Sequence, residues 1–198
     1  MSDSISLLSH YFNAQKDSAD AFHKEAQQYM TEGIDVNSPS FNYNFFTYIY
    51  KLYQTPNVVT YAVSRSIYMG GAHPMSAFYA VSFDCRNPKR LGYEMLRDTT
   101  ASNTELYSLI KDGLKKYFEV QTDEELNEML LSDDFNEGST NRIPLPVFPP
   151  YIENNQLHFV YQQYEIAPYA AGMPEAIISI EDIIPQLTNE AALLFSKN

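Results

Sequence analysis

A carboxylate set among apolar and aromatic residues can take part in proton chemistry. Glu165 is such a group, standing between Tyr164 and Ile166 in the stretch YEIAPYAAG, Tyr164 to Gly172. Partial desolvation there would raise its pKa, whereas hydrogen bonds from the backbone N–H groups of the AAG turn would hold it ionised. The residue types leave three roles open for Glu165: a structural lock, a ligand contact or an acid. A glycosidase-type site needs two carboxylates about 5–10 Å apart across a cleft. Asp84 and Glu175 are the other plausible donors, and no spacing pairs them with Glu165.

His73 is the second group of interest. It lies in GGAHP, where Gly70 and Gly71 permit positive φ and Pro74 restricts His73 to extended conformations. Its imidazole either bonds loop backbone or is offered to a ligand. A nucleophilic pair of Cys85 with His73 is conceivable, but a free cysteine more often serves as a small apolar residue. His10, His23, His73 and His158 are scattered, and CxxC, HExxH, GxSxG and phosphate-loop patterns are absent. No catalytic set, no metal and no cofactor is therefore expected.

The elements that must position these groups follow from the hydrophobic pattern. Residues 1–32 read as a helix, with Leu8, Phe12, Ala19, Phe22, Ala26 and Tyr29 on roughly one stripe and Gly33 as its stop. An aromatic patch, FNYNFFTYIYKLY, follows and has room for a strand. Val58 to Met69 alternates with period two, placing Val59, Tyr61, Val63, Ile67 and Met69 on the apolar face. After the GGAHP turn a second strand runs from about Ser76 to Asp84, and so short a link requires antiparallel pairing. Asn87-Pro88 is a turn, and Arg90 to Tyr93 is a short strand or the run into a loop. Ser102 to Glu105 and Thr122 to Glu125 read as capping boxes opening two helices. In the first of these, Leu106, Leu109, Ile110, Gly113 and Tyr117 form the buried stripe.

SDDFNEGSTNR, residues 132–142, reads as a mobile loop. PLPVFPPY carries too many prolines for a central strand, so it is expected along an edge or the surface. Glu153-Asn154-Asn155 is a turn. Gln156 to Gln163 and Glu175 to Ile180 are strands, and short helices are expected near Glu181 and at 189–196. Strands, then helices, then strands predict an α+β fold: a mostly antiparallel sheet with a helix pair packed on one face, preceded by an N-terminal helical segment.

The 198 residues suffice for one ordinary domain, or one domain plus part of another. The 16 Tyr and 12 Phe suit either a half-buried sheet or a recognition surface. The net charge of −12 is uneven: −3 over residues 1–55, −2 over 56–131 and −7 over 132–198. That C-terminal field repels nucleic acid and anionic membrane and attracts a cationic partner. Cys85 is the only cysteine, so no intramolecular disulfide forms. No run approaches the ~20 apolar residues of a membrane span, and no signal peptide is visible.

YMGGAHPM, Tyr68 to Met75, and YEIAPYAAG together resemble the two signature stretches of one bacterial family. That family forms the extracytoplasmic part of RsiV-type anti-sigma factors, and related regions accompany PdaC-type peptidoglycan deacetylases. The similarity covers roughly residues 55–185. It implies two segments: 1–54, the helical and aromatic end of a small preceding domain, and 55–198, an RsiV-like α+β domain. It implies a periplasmic or lipid-anchored envelope protein whose signal sequence is absent from this chain. It also implies recognition in place of catalysis, with a basic lysozyme-like protein or a peptidoglycan fragment as the partner. Tyr68, His73, Tyr164, Glu165 and Tyr169 are the expected binding residues. Gly70, Gly71, Pro74, Pro168 and Gly172 are the expected turn formers. The alternative is a cell-wall hydrolase or deacetylase-associated enzyme using Glu165 and His73, and a structural spacer is a third reading.

Overall fold

The computed structural model describes residues 2–33, 35, 37, 43–70, 72–131 and 143–196. The proposed loop at 132–142, Gly71 and the start of the aromatic patch lie outside the described residues, as do the side chains of Leu8, His10 and Phe12. The chain forms two compact units. One comprises Met1–Phe45 and Ser66–Met75, the other Phe46–Arg65 and Ser76–Asn198.

In the first unit, helix α1 spans Ser2–Thr31. Gly33 ends it in the left-handed region at φ 74°, a conformation that a Cβ would penalise. Phe22, Ala26 and Tyr29 are half-buried, whereas Ala19 is exposed. The Phe22 ring meets Phe45 at 6.4 Å. The Tyr29 hydroxyl donates to Glu25 one turn back.

The larger sheet has the order β1-β2-β3-β4, with β1 Asn44–Gln54, β2 Val58–Tyr68, β3 Met75–Asp84 and β4 Lys89–Leu91. β4 pairs antiparallel with only the last three residues of β3, Ser82 to Asp84. The C-terminal strands form a separate antiparallel sheet, β5-β6-β7, from Tyr151–Glu153, Gln156–Val160 and Glu175–Ser179. The fold is thus α+β and antiparallel as the pattern predicts, but its strands divide between two sheets. The β5–β6 hairpin turns at Asn154 and Asn155, both at positive φ, the pairing that a two-residue turn between twisted strands requires.

Helix α2, Thr104–Phe118, packs on β7, and α3, Asp123–Met129, packs on α2. Leu106, Ile110, Leu114 and Leu126 from these helices share a core with Leu157, Phe159, Ala176 and Ile178. The opposite face of β6 supplies Val160 to a second cluster with Ala62, Ala80 and Tyr151. β6 is therefore buried on both faces, which explains its nearly continuous apolar run. Short helices α4, Ile180–Ile183, and α5, Asn189–Ala192, close the chain.

Three expectations need correction. The helix α2 cap is Asn103, whose side chain accepts from Leu106 N, and not Ser102; Glu105 instead accepts from Gln186. The buried stripe of α2 includes Tyr107 and Leu114, while Tyr117 is exposed. In β2 the deepest residues are Val58, Thr60 and Ala62, on the face that alternation marked as the polar one, and Tyr61 is exposed. A buried Thr is tolerated there because its hydroxyl is fully engaged across the sheets. The second capping box is present as expected, with Thr122 and Glu125 exchanging side chain-to-backbone bonds.

Candidate functional site

β6 ends at Val160, and the next residues build the signature loop. Tyr161 is wholly buried, and its hydroxyl donates to Pro144 O at 2.8 Å. Tyr93 donates to Pro146 O and, at 3.3 Å, to Phe148 O. These bonds pin the proline-rich segment 144–150 by its carbonyls, since its prolines have no N–H with which to join a ladder. Burial pushes both phenols well above the ordinary tyrosine range, and the neighbouring Glu165 charge adds to this, so both remain protonated donors.

Glu165 completes the clamp. One carboxylate oxygen accepts from Val147 N at 2.6 Å, the other from Gln162 N at 2.7 Å. Both oxygens thus carry a backbone N–H, though neither comes from the AAG turn. The Glu165 N–H in turn donates to Gln162 O at 3.0 Å. Burial raises the carboxyl pKa, and the two backbone bonds oppose the rise. Because the folded value lies above the unfolded one, near 4.3, the stabilisation from this group is complete below that pH. It is lost as pH rises through the folded value. The stability advantage of the natural chain over Glu165→Gln is therefore expected to shrink as pH rises through the raised folded value, read by urea unfolding. A difference that is flat with pH would remove the linkage.

The rest of the loop is fixed from outside. Tyr164 sits at φ 65°, and its exposed ring lies 5.9 Å from that of Tyr169. Pro168 precedes the single turn Tyr169–Ala171, and Gly172 ends it at φ 72°. Tyr117 of α2 donates to Ala171 O at 2.7 Å, and Leu131 N donates to Ile166 O at 2.9 Å. In the first unit, Tyr68 ends β2, Gly70 has φ 83° and His73 is half-exposed with Nδ1 3.2 Å from Pro74 O.

The other two candidate carboxylates have partners of their own. Asp84 is buried and accepts from Arg86 N, Nε and Nη2 and from Asn87 N. The Arg86 hydrogen bonds hold its pKa below the usual range against the opposing effect of burial. Glu175 Oε1 lies 2.7 Å from His158 Nδ1 and accepts from the Tyr151 hydroxyl at 3.0 Å. His158 stacks on Tyr151 at 4.8 Å, and its Nε2 has no hydrogen-bond partner among the described residues. Cys85 is exposed in the second unit. Among the described residues no group of His, Cys, Asp and Glu is arranged to hold a metal, and no helix is long and apolar enough to cross a membrane.

Sequence reasoning missed Gln162 and Gln163. Gln162 Nε2 donates to Phe78 O at 2.7 Å, and its Oε1 accepts from Phe78 N at 3.1 Å. Gln163 Oε1 accepts from Ser76 N at 2.8 Å. The available signal was a pair of amides where a strand meets a loop.

Residues 94–181 match the family model described as Protein of unknown function (DUF3298). The DUF3298 match contains the whole signature loop. Residues 3–76 match a second model, described as Deacetylase PdaC, and contain Tyr68, Gly70, His73 and Pro74. No curated protein matches the chain. Two solved DUF3298 structures resemble it. A member from Bacteroides fragilis has a TM-score of 0.69 and 23% identity, over 92% of this chain and 72% of the other. A family protein from Pseudomonas aeruginosa has a TM-score of 0.58 and 17% identity, over 79% of this chain and 66% of the other. At such identities the likeness shows the fold.

Proposed function

We propose that this chain is a non-catalytic recognition module of a bacterial envelope protein, of the RsiV type, that works outside the cytoplasm. Its domain at 55–198 follows the end of a smaller one, and its ligand is a basic lysozyme-like protein or a peptidoglycan fragment. One observation carries the reading. Glu165 spends both oxygens on backbone N–H groups, while the loop that it locks displays the rings of Tyr164 and Tyr169. A non-glycine residue at positive φ costs roughly 1–3 kcal/mol and persists where surrounding structure enforces it, often at binding surfaces. The acidic C-terminal third favours a cationic protein as the ligand. The enzyme alternative needs a carboxylate aimed at a substrate proton, whereas each Glu165 oxygen is already held by a backbone N–H of this chain.

Titration calorimetry against a basic lysozyme and a soluble peptidoglycan fragment, at low and moderate salt, tests this. Tyr164→Gly removes the ring and relieves the positive φ, so the loop is expected to persist while affinity falls at least tenfold. Equal binding by the variant would make the loop architecture only. Heat that vanishes with modest salt would reduce the acidic surface to a solvated field.

A further inference from the structure

The edge of β3 that faces away from β2 is unusual. β4 covers it only from Ser82 to Asp84, and among the described residues no strand pairs with it at Ser76 to Phe78. There the main-chain groups are filled by side chains. Ser76 N–H goes to Gln163, and Phe78 N–H and C=O both go to the Gln162 amide. Phe78 exchanges two bonds with one amide, as a residue in an antiparallel ladder does with its partner. A strand edge satisfied in this way is blunted against pairing, yet it keeps the geometry that accepts a strand.

We propose that the β3 edge at Ser76–Phe78 is a strand-addition site held shut by Gln162 and Gln163, and that its occupant is an extended, basic peptide segment of a partner protein. Three hydrogen bonds to the glutamine side chains are broken when they swing away, and three main-chain hydrogen bonds replace them. The exchange is close to neutral in hydrogen bonds, and it returns rotamer freedom to two long side chains. The −7 charge of residues 132–198, which include both glutamines, selects a cationic segment. The latch is tied to the signature loop, because Glu165 accepts from the Gln162 N–H and donates to the Gln162 carbonyl. The site does not depend on the rings of Tyr164 and Tyr169, so it stands apart from the recognition surface proposed above.

The probe is an acetylated, amidated Lys-Thr-Val-Thr-Val-Thr-Lys peptide, titrated into 15N-labelled protein. The comparison is between the natural chain and Gln162→Ala/Gln163→Ala. The double variant is expected to bind at least tenfold more tightly, with the amides of Ser76 and Phe78 shifting most. Adding Ser76→Pro, which deletes one edge donor, is expected to abolish the gain. Equal affinity in the natural chain and a folded double variant, or shifts confined to other strands, would overturn the proposal. So would self-association of the double variant in sedimentation without peptide uptake, which would make the occupant a second copy. If the double variant fails to fold, Gln163→Ala alone serves. Faster hydrogen exchange at Ser76 with tighter peptide binding supports the site, and faster exchange without it overturns the proposal.

Discussion

Gly113→Val is expected to destabilise the chain by about 3 kcal/mol or more, the upper range for overpacking a close contact. Helix α2 lies tight against β7 at this glycine. A Cβ built on Gly113 would lie 2.7 Å from Ala176 Cβ and 2.8 Å from Ala176 Cα. The second of these is the main chain of a strand in a three-stranded sheet, so no rotamer change relieves it. Even Gly113→Ala should lose stability, although alanine gains about 1 kcal/mol over glycine in a helix interior. Ala176→Gly in the same chain removes one clash and leaves the other, so the pair recovers part of the loss. Urea unfolding of the three variants decides this. A Gly113→Ala chain as stable as the natural one would mean that α2 can withdraw at no cost. The consequence reaches the loop, because Tyr117 lies one turn further along α2 and holds Ala171 O. Gly113 variants that still fold should therefore show faster amide exchange between Pro168 and Gly172.

The strands and helices legible in the sequence are those whose signals are local. The β2–β3 hairpin followed from alternation interrupted by a glycine turn, and the Thr122–Glu125 cap from four adjacent residues. β6 and β7 followed from apolar runs bounded by turn formers. What escaped depends on partners far along the chain. The division into two sheets is invisible to periodicity, since nothing local states which strand pairs with which. The buried face of β2 was misread because Thr60 is compatible with a core through Ser82 and through Ile152, 92 residues away. Glu165 was legible as a group with unusual surroundings. Its partner Val147 lies 18 residues upstream in a segment that reads only as proline-rich. Tyr117 fits a helical stripe by spacing, but the stripe rotates toward Tyr107 and Leu114 because Gly113 must face β7. Gln162 and Gln163 look like a polar strand end. Their role appears only once the β3 edge is seen to lack a strand.

Thr60→Val is expected to cost about 2 kcal/mol, although the two side chains have nearly the same shape. The Ile152 N–H donates to Ser82 Oγ at 2.8 Å, and Thr60 Oγ1 donates to Ile152 O at 2.6 Å. The two hydroxyls are 2.8 Å apart. Thr60 has one proton and gives it to the carbonyl, so Ser82 must donate to Thr60. The three residues form a closed ring in which each hydroxyl both gives and receives, and Thr60, Ser82 and Ile152 are all buried. Valine leaves the Ile152 carbonyl and the Ser82 proton without partners, and each buried orphan costs about 1–3 kcal/mol. Ser82→Ala should cost a similar amount by stranding the Ile152 N–H. The double variant should cost less than the sum, because the first substitution already opens the ring. Strict additivity in urea unfolding would show three independent bonds and no ring. The ring also bears on the signature loop. Ile152 lies two residues beyond the proline-rich segment that Tyr93, Tyr161 and Glu165 clamp, so β5 anchors one end of that segment. Loosening the ring should therefore weaken Glu165's hold on Val147. Because the Val147 bond opposes the upward shift of the Glu165 pKa, the pH dependence attributed to Glu165 should grow in the Thr60→Val chain while the stability falls.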